Sequence, residues 1–363
     1  MPQKTKAVLI YGGQSTEHEV SRRSAAYIWK NIDRQKFDAF AIGIDKEGRW
    51  HAQNRQELEG SHPTEMPMQS GDKADAESAA VLKKIWTQGA DNSDLVVFDI
   101  VHGTTGEDGM MQGFFDLQRI PYVGPGILGS ACAMDKVVAK QLVEYAGVPV
   151  VPYVALRLHD WLERKSALLD EAVQKLKFPM FVKPASLGSS VGINKVDDKA
   201  ALEKAISYAL EFDDRVLIET GVNAREIEYA CLGGYAPQLT FPGEVGVAKG
   251  FYTYDEKYSS SSKAEVLVPA PLSKELAEEG RDISRKVFHA LNLYGLARID
   301  LFLEKSTNKY YFNEANTLPG MTAISQYPKL WEHEGMTGKE LISKLFDTAL
   351  ERRKIQLGLK RSV

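Results

Sequence analysis

Three short apolar runs, Ala7 to Tyr11, Phe37 to Ile44 and Leu95 to Val101, dominate the first third of the chain, and the segment from Glu17 to Ile32 between the first two reads as a helix. Short runs rich in β-branched residues are strands, and strands alternating with helices build a parallel sheet covered by helices. That alternation restricts the opening unit to an open α/β sheet. Gly12 and Gly13 follow the first strand directly, a turn at which backbone can approach a ligand closely. The stretch from Gln53 to Ala80 is polar, carries Pro63, Pro67 and Gly71, and reads as a surface insertion.

A second unit begins near Gly129. Asp135 is placed to cap a helix running to about Ala146, with Gly147 as its stop. Strand-like Pro179 to Pro184 meets a Gly/Ser-rich turn and a second strand-like run, Val191 to Val196; Ala200 to Phe212 reads as a helix and Val216 to Thr220 as a strand. From about Leu232 a third unit carries an aromatic, Ser-rich segment, a helix from Ser273 to Leu291, strands near 295–303 and 309–315, and a closing helix from Lys339 to Arg353. The expected organisation is thus α/β, in three parts at 1–128, 129–231 and 232–363, with no internal repeat or heptad array.

The chain of 363 residues is long enough to bury its cores without disulfide staples. Its net charge of −4 supplies no global pull toward nucleic acid or an anionic membrane, so an anionic ligand has to be held by locally placed cations. Cys132 and Cys231, far apart and without metal-like spacing, read as buried reduced thiols. The apolar run after Met1 is too short for a signal sequence or a membrane span, and the expected location is the cytoplasm.

Two segments carry chemistry. Lys183-Pro-Ala-Ser-Leu-Gly-Ser-Ser-Val-Gly192 puts a lysine at a strand end before a small-residue loop, a pattern that suits a flap over phosphates: glycine lets N–H groups face an anion, and serines add short donors. One unit-charge pair at ~4 Å and an effective dielectric of ~20 is worth about 4 kcal/mol before desolvation. An ordinary hairpin turn with a surface lysine accounts for the segment equally well on its own. It is not a Walker A loop, since the glycine-to-lysine order is wrong and no helix follows. Lys136 at a helix start, and Glu219, Glu226 and Glu228 on strands, could serve a nucleotide or be solvated faces.

The second segment pairs Arg298-Ile-Asp300 with Glu314-Ala-Asn316. Residues i and i+2 of a strand share a face, so Arg298 points with Asp300 and Glu314 with Asn316. If the two strands are neighbours, Asp300, Glu314 and Asn316 converge as hard oxygen donors of the kind Mg²⁺ takes. The alternative is a polar sheet face salt-bridged by Arg298. No His or Cys stands at these positions, which argues against zinc. Pro319-Gly320 then forms a tight turn whose N–H could face a developing oxyanion.

Together Tyr11 through Ser21, Val101-His102-Gly103, Lys183 through Gly192 and Asn313 through Thr322 resemble, in order and over nearly the whole chain, the D-alanine–D-alanine ligase family of ATP-grasp enzymes. The resemblance implies an N-terminal open parallel-sheet domain followed by a two-subdomain ATP-grasp fold. It also implies ATP as co-substrate, with two Mg²⁺ ions for which Mn²⁺ can substitute, a role in peptidoglycan precursor synthesis, and a homodimer. D-alanine would be phosphorylated on its carboxylate and then joined to the amine of a second D-alanine.

Carried over by motif, Glu17 binds the first ammonium with His102 close by, while Ser189 and Tyr258 link to Glu17 and close the site. Lys257 and Ser325 receive the second carboxylate. Gly320 and Arg298 stabilise the tetrahedral oxyanion. Lys136, Lys183 and Ser190 serve the phosphates; Glu219, Val222 and Glu226 line the adenosine pocket; Asp300, Glu314 and Asn316 hold the metal. The stretch Phe251 to Ser262 resembles the family's closing loop, and Tyr258 favours an amine as second substrate, since related D-lactate ligases replace it. Thr220, Gln326 and Leu187 depart from common family patterns around the adenine, the second-substrate pocket and the flap. Alternative readings are a D-alanine–D-lactate ligase, a non-catalytic nucleotide-binding module, or a kinase releasing a phosphorylated product.

Overall fold

The first apolar run becomes strand β1 (Thr5–Gly12), which pairs in parallel with β2 (Phe37–Ile44) on one side and β4 (Leu95–Asp99) on the other; short β3 (Trp50–Ala52) adds an antiparallel edge, giving the order β3-β2-β1-β4. In this computed structural model the described residues are 4–61, 63–188, 191–246 and 265–360. Strand β1 is apolar without alternation because both faces of its sheet are covered. Helices α1 (His18–Asn31) and α11 (Gly338–Leu357) bury Leu9 and Phe98 with Trp29 and Phe346 on one face. Helices α3 (Ala76–Trp86) and α4 (Met110–Leu117) bury Val8 and Ile10 with Ile85 and Phe115 on the other. Each such side chain contributes about 1.5–3 kcal/mol by leaving water, so the last helix of the chain is a structural part of the first sheet.

The stretch 53–80 is more than the expected surface insertion. It contains α2 (Arg55–Ser61) and the start of α3, and Leu58 and Met66 are buried in the same core as Trp29. Reciprocal bonds hold it down: the Met66 N–H donates to Arg22 O at 3.0 Å, and Arg22 Nε donates to Met66 O at 2.8 Å.

Two antiparallel sheets follow. The central one runs β5 (Tyr153–Arg157), β8 (Arg215–Thr220), β6 (Met180–Pro184), β7 (Asn194–Val196) in space, packed on α7 (Leu158–Lys175) and α8 (Lys199–Ala209) through Leu168, Leu202, Ile206 and Ile218. The other has the order β12 (Glu265–Leu267), β11 (Gly243–Gly246), β9 (Ala224–Gly233), β13 (Gly295–Glu304), β14 (Tyr310–Asn316), with β10 (Gln238–Leu239) also on β9. It rests on α6 (Lys136–Tyr145) and α9 (Lys274–Ala290) around Val143, Tyr229, Phe288 and Ile299.

Three elements, β9, α6 and α7, go beyond the sequence reading. The change of sheet comes between Thr220 and Ala224, because β9 runs along β13 over its whole length from Gly295↔Gly233 to Glu304↔Ala224. Helix α6, although it precedes the central sheet in the chain, gives Ala139 and Val143 to the core of the other one. The long α7 has no counterpart in the sequence reading; non-helical backbone at Arg164 (φ −132°) interrupts its pattern of buried Trp161, Leu168, Leu169 and Ala172. Asp135 does cap α6 as expected, accepting from the N–H groups of Val137 and Val138 at 2.9 Å.

Candidate active site

Strands β13 and β14 are neighbours, with Arg298 opposite Asn316 and Asp300 opposite Glu314. The register shifts just beyond this point, so that Leu301 faces Phe312 and Asn313 is the extra residue of a bulge. The bulge has a consequence for side-chain direction. Tyr310 and Phe312 lie in the hydrophobic core, and so does Ala315, which a regular strand would turn the other way. Glu314 and Asn316 therefore emerge on the face that Arg298 and Asp300 share, opposite the buried Ile299 and Leu301.

Arg298 clasps Asp300 with two bonds, Nε to Oδ1 at 2.8 Å and an Nη to Oδ2 at 2.7 Å, while Asn316 donates its amide to Asp300 Oδ2 at 2.9 Å. From β9, Glu228 stands opposite Asp300 and brings its carboxylate 3.1 Å from Arg298 Nε. Burial works against the Arg298 charge, but Asp300 and Glu228 outweigh it and hold the guanidinium firmly protonated. Among the described residues no three His, Cys, Asp or Glu side chains gather as a metal cluster. The candidate donor set is two carboxylates and one amide, all oxygen, which fits Mg²⁺.

Facing this surface, Lys183 at the end of β6 lies 8% exposed, with its ammonium 6.0 Å from the centre of the Phe302 ring on β13. It pairs with Glu219 at 2.6 Å, and Lys140 of α6 reaches the other oxygen of the same carboxylate at 2.6 Å. Burial alone would raise the Glu219 pKa, yet the two lysines hold it down at about 2. Lys183 is raised because Glu219 outweighs its own burial. Lys136, at the first turn of α6, donates to Leu187 O at 2.6 Å and stands 3.8 Å from Glu314, so it bridges the flap and the acidic surface. Glu226 lies opposite Phe302, and Val222 sits on the link between β8 and β9.

The first sheet supplies the third wall. The turn after β1 depends on Gly12 and Gly13, whose φ angles are +93° and +96°; a Cβ on Gly12 would come 2.2 Å from Ile44 O. The turn leads to Glu17, which is 9% exposed and has Gly103 and Gly188 close against its carboxylate. A cavity of about 150 Å³ opens there, lined by Ser15, Glu17, Gly103, Leu187 and Gly188 among others. His102, 4% exposed, has its pKa lowered by burial and lies 3.1 Å from Ser24 Oγ. Ser24 also accepts the Met321 N–H at 3.2 Å, and Glu107 accepts N–H bonds from Leu318 at 3.1 Å and Gly103 at 2.7 Å. The 317–322 turn is thus held in place by the first unit. Within it, Ser325 Oγ accepts the Thr322 N–H at 3.0 Å and lies beside Gly320.

Contacts link Lys136 with Glu314, Lys183 with Glu219, and Arg298 and Asn316 with Asp300, while Glu17 lies against Gly188 and His102 is joined through Ser24 to the turn that carries Gly320, with Ser325 beside it. Ser189, Ser190, Lys257 and Tyr258, with the whole stretch from Phe251 to Ser262, lie outside the described residues. Sequence reasoning passed over Lys140, Ser24 and Glu107. Lys140 left one signal, its place among Val137, Ala139 and Val143 on the buried face of α6. Ser24 and Glu107 act through backbone distant in the chain and left none. A larger cleft of about 530 Å³, lined by Asp33, Lys36, Glu334, Lys339 and neighbours, is open and of mixed charge, and none of these groups lines it.

Two family models match the chain: "D-ala D-ala ligase N-terminus" over residues 6–125 and "D-ala D-ala ligase C-terminus" over 142–347. The chain belongs to the D-alanine–D-alanine ligase family. It is 40% identical to the D-alanine–D-alanine ligase of Acetivibrio thermocellus, with 97% of each chain covered, and 41% identical to that of Clostridium novyi, covering 96% of this chain and 99% of the relative. Among solved structures, the D-alanine–D-alanine ligase of Coxiella burnetii superposes with a TM-score of 0.79 at 31% identity, over 98% of this chain and 96% of that one. The VanG D-Ala:D-Ser ligase of Enterococcus faecalis gives 0.78 at 31% identity, over 96% and 100%. The fold is that of the ATP-grasp ligases of this family, a parallel-mixed sheet followed by two antiparallel sheets.

Proposed function

We infer that the chain joins two D-alanine molecules at the expense of ATP, forming an acyl phosphate from the first and condensing it with the amine of the second. The observation that carries this reading is the facing of Lys136 and Lys183 against the surface of Arg298, Asp300, Glu314 and Asn316. A carboxylate and a triphosphate repel one another, and only a site lined with fixed cations brings them together.

In this reading Glu17 binds the ammonium of the first D-alanine beside neutral His102, and Lys136 and Lys183 draw the phosphates. Glu219 and Glu226, with backbone at Val222, receive the adenosine. Arg298 offers its planar fork to the transferring phosphoryl group and, with the Gly320 N–H, to the oxyanion of the tetrahedral intermediate. Ser325 takes the second carboxylate together with Lys257, and Ser189, Ser190 and Tyr258 complete the flap and closing loop. Asp300, Glu314 and Asn316 would hold two Mg²⁺ ions, which Mn²⁺ can replace, and these would neutralise the nucleotide's charge when bound.

The three-part division at 1–128, 129–231 and 232–363, a cytoplasmic location and a homodimer belong to the same proposal. Among the described residues no helix is long and apolar enough to cross a membrane. Helices α4 and α5 (Ile127–Met134) leave Met110, Leu117 and Leu128 exposed, apolar surface suited to a second copy. A solution mass of a single 40.4 kDa chain at micromolar concentration would count against the dimer.

The deciding experiment measures phosphate release with ATP and Mg²⁺. D-alanine alone should support turnover with D-alanyl-D-alanine as the product, and added D-lactate or D-serine should not divert it. No phosphate release at saturating D-alanine defeats the reading. A D-alanyl–D-lactate or D-alanyl–D-serine product moves the chain to another second substrate.

A further inference from the structure

Lys140 is only 1% exposed, and no role so far requires it. Its ammonium lies 2.6 Å from Glu219 Oε1, donates to Phe312 O at 3.2 Å, and stands 5.8 Å from the Phe312 ring. It therefore ties α6, β8 and β14 together from inside. At this distance the opposite charges of the two groups are directly coupled. Lys183 holds the opposite oxygen, Oε2, at 2.6 Å. Two lysines thus share one buried carboxylate.

The two lysines are not equivalent. Lys183 ends a strand at the mouth of the flap and faces Phe302 across the cleft, where a polyphosphate would compete with Glu219 for its ammonium. Lys140 is sealed on the core face of α6 and anchored to a backbone carbonyl of the other sheet, so it stays with Glu219 whichever partner Lys183 takes. Without Lys140, moving Lys183 to a phosphate would leave a buried carboxylate with no close cation, a state that is strongly disfavoured.

We propose that Lys140 is a positioning residue for nucleotide binding, a fixed counter-ion that keeps Glu219 in place and frees Lys183 for the triphosphate. It acts through Glu219, touches no substrate, and rests on the roles proposed above for Lys183 and Glu219.

The test compares Lys140→Met, Glu219→Gln and the double variant in steady-state assays, with ATP and D-alanine varied separately. Lys140→Met should raise the ATP KM about tenfold or more while the D-alanine KM stays within about twofold, a split that general loosening of the fold would not produce. The double variant should show an ATP KM no higher than Glu219→Gln alone, because the carboxylate through which Lys140 acts is already gone. Where Lys140→Met does not fold, the same comparison of double and single Glu219 variants decides. An unchanged ATP KM in Lys140→Met, effects that multiply in the double, or a double variant that fails to fold where Glu219→Gln folds, would overturn the proposal. If Glu219→Gln itself leaves the ATP KM unchanged, the nucleotide role of Glu219 fails and this inference fails with it.

Discussion

Glu314→Ala should abolish D-alanine-dependent phosphate release, with kcat lowered about 10³-fold or more, and should leave the protein folded. The size follows from what the residue is proposed to hold: a divalent ion is worth several kcal/mol to a reaction that gathers charge on phosphoryl oxygens, and each 1.4 kcal/mol or so is tenfold in rate. The folded state loses little by comparison. Glu314 emerges on the site face of β14, next to the bulge, and neither of its core neighbours Phe312 and Ala315 depends on its side chain for burial. Its ion pair with Lys136 is a 3.8 Å contact with the carboxylate side chain 29% exposed, a geometry that contributes about 1 kcal/mol at most. The melting temperature should thus move by only a few degrees. A second readout separates metal from other roles: the gain in ADP affinity that Mg²⁺ brings to the parent chain should shrink in the variant. Turnover close to the parent's would show that the proposed oxygen donors are not the metal site.

Why this site could be anticipated, and where anticipation stopped, follows from the range of the interactions involved. Period-two arithmetic placed Arg298 with Asp300 and Glu314 with Asn316, and both pairs share the site face. The arithmetic did not contain the bulge at Asn313, without which Tyr310 and Phe312 on one side and Ala315 on the other could not all be buried. The strands of the first sheet were legible because burial on both faces writes continuous apolar runs. Helix α7 was hidden by its kink, and the membership of β9 and α6 in the last sheet was hidden because it depends on partners up to about 170 residues away, as in the contact of Lys140 with Phe312 O. The lysines with proposed roles divide in the same way. Lys183 was conspicuous beside a Gly/Ser loop, whereas Lys140 reads as one more helix lysine until a buried carboxylate appears next to it.

The net charge of −4 makes the same point at the level of the whole chain. Lys136, Lys140 and Lys183 gather around Glu219 and Glu314, and Arg298 lies beside Asp300 on the neighbouring strand, although the molecule as a whole is acidic. Each of these cations is matched to a carboxylate by an ion pair in this structure: Glu314, Glu219 and Asp300 serve as partners, with Glu219 shared. In the proposed reaction anionic substrates would take the carboxylates' place at Lys136, Lys183 and Arg298 while Lys140 keeps Glu219, so the site is held together before they arrive and need not be assembled around them.

Arg298 is where that exchange has the sharpest consequence, and Arg298→Lys is the substitution that tests it. The guanidinium engages both oxygens of Asp300 at 2.8 and 2.7 Å and still lies 3.1 Å from Glu228. A lysine keeps the charge but is a point donor on a flexible stem; it cannot span two acceptors in a plane. Removing the charge altogether would leave Asp300 and Glu228 crowded without their counter-ion, and breaking a buried pair in that way costs about 3–5 kcal/mol, which would confuse misfolding with lost chemistry. Lysine avoids that. Its ammonium can neutralise one carboxylate at a time, so the fold should persist. The bidentate hold on a phosphoryl group and on the tetrahedral oxyanion should not, and kcat should fall about 10²- to 10³-fold, the usual loss when one aligned oxyanion donor is removed. The split of the effect is diagnostic. If Arg298 acts on the transition state, kcat and kcat/KM for ATP fall together while the ATP KM stays within a few-fold; if it only binds nucleotide, the KM rises and kcat holds. Turnover within about threefold of the parent would show that two-point contact at this position is not part of the reaction, and that Arg298 serves the sheet by neutralising Asp300 and Glu228.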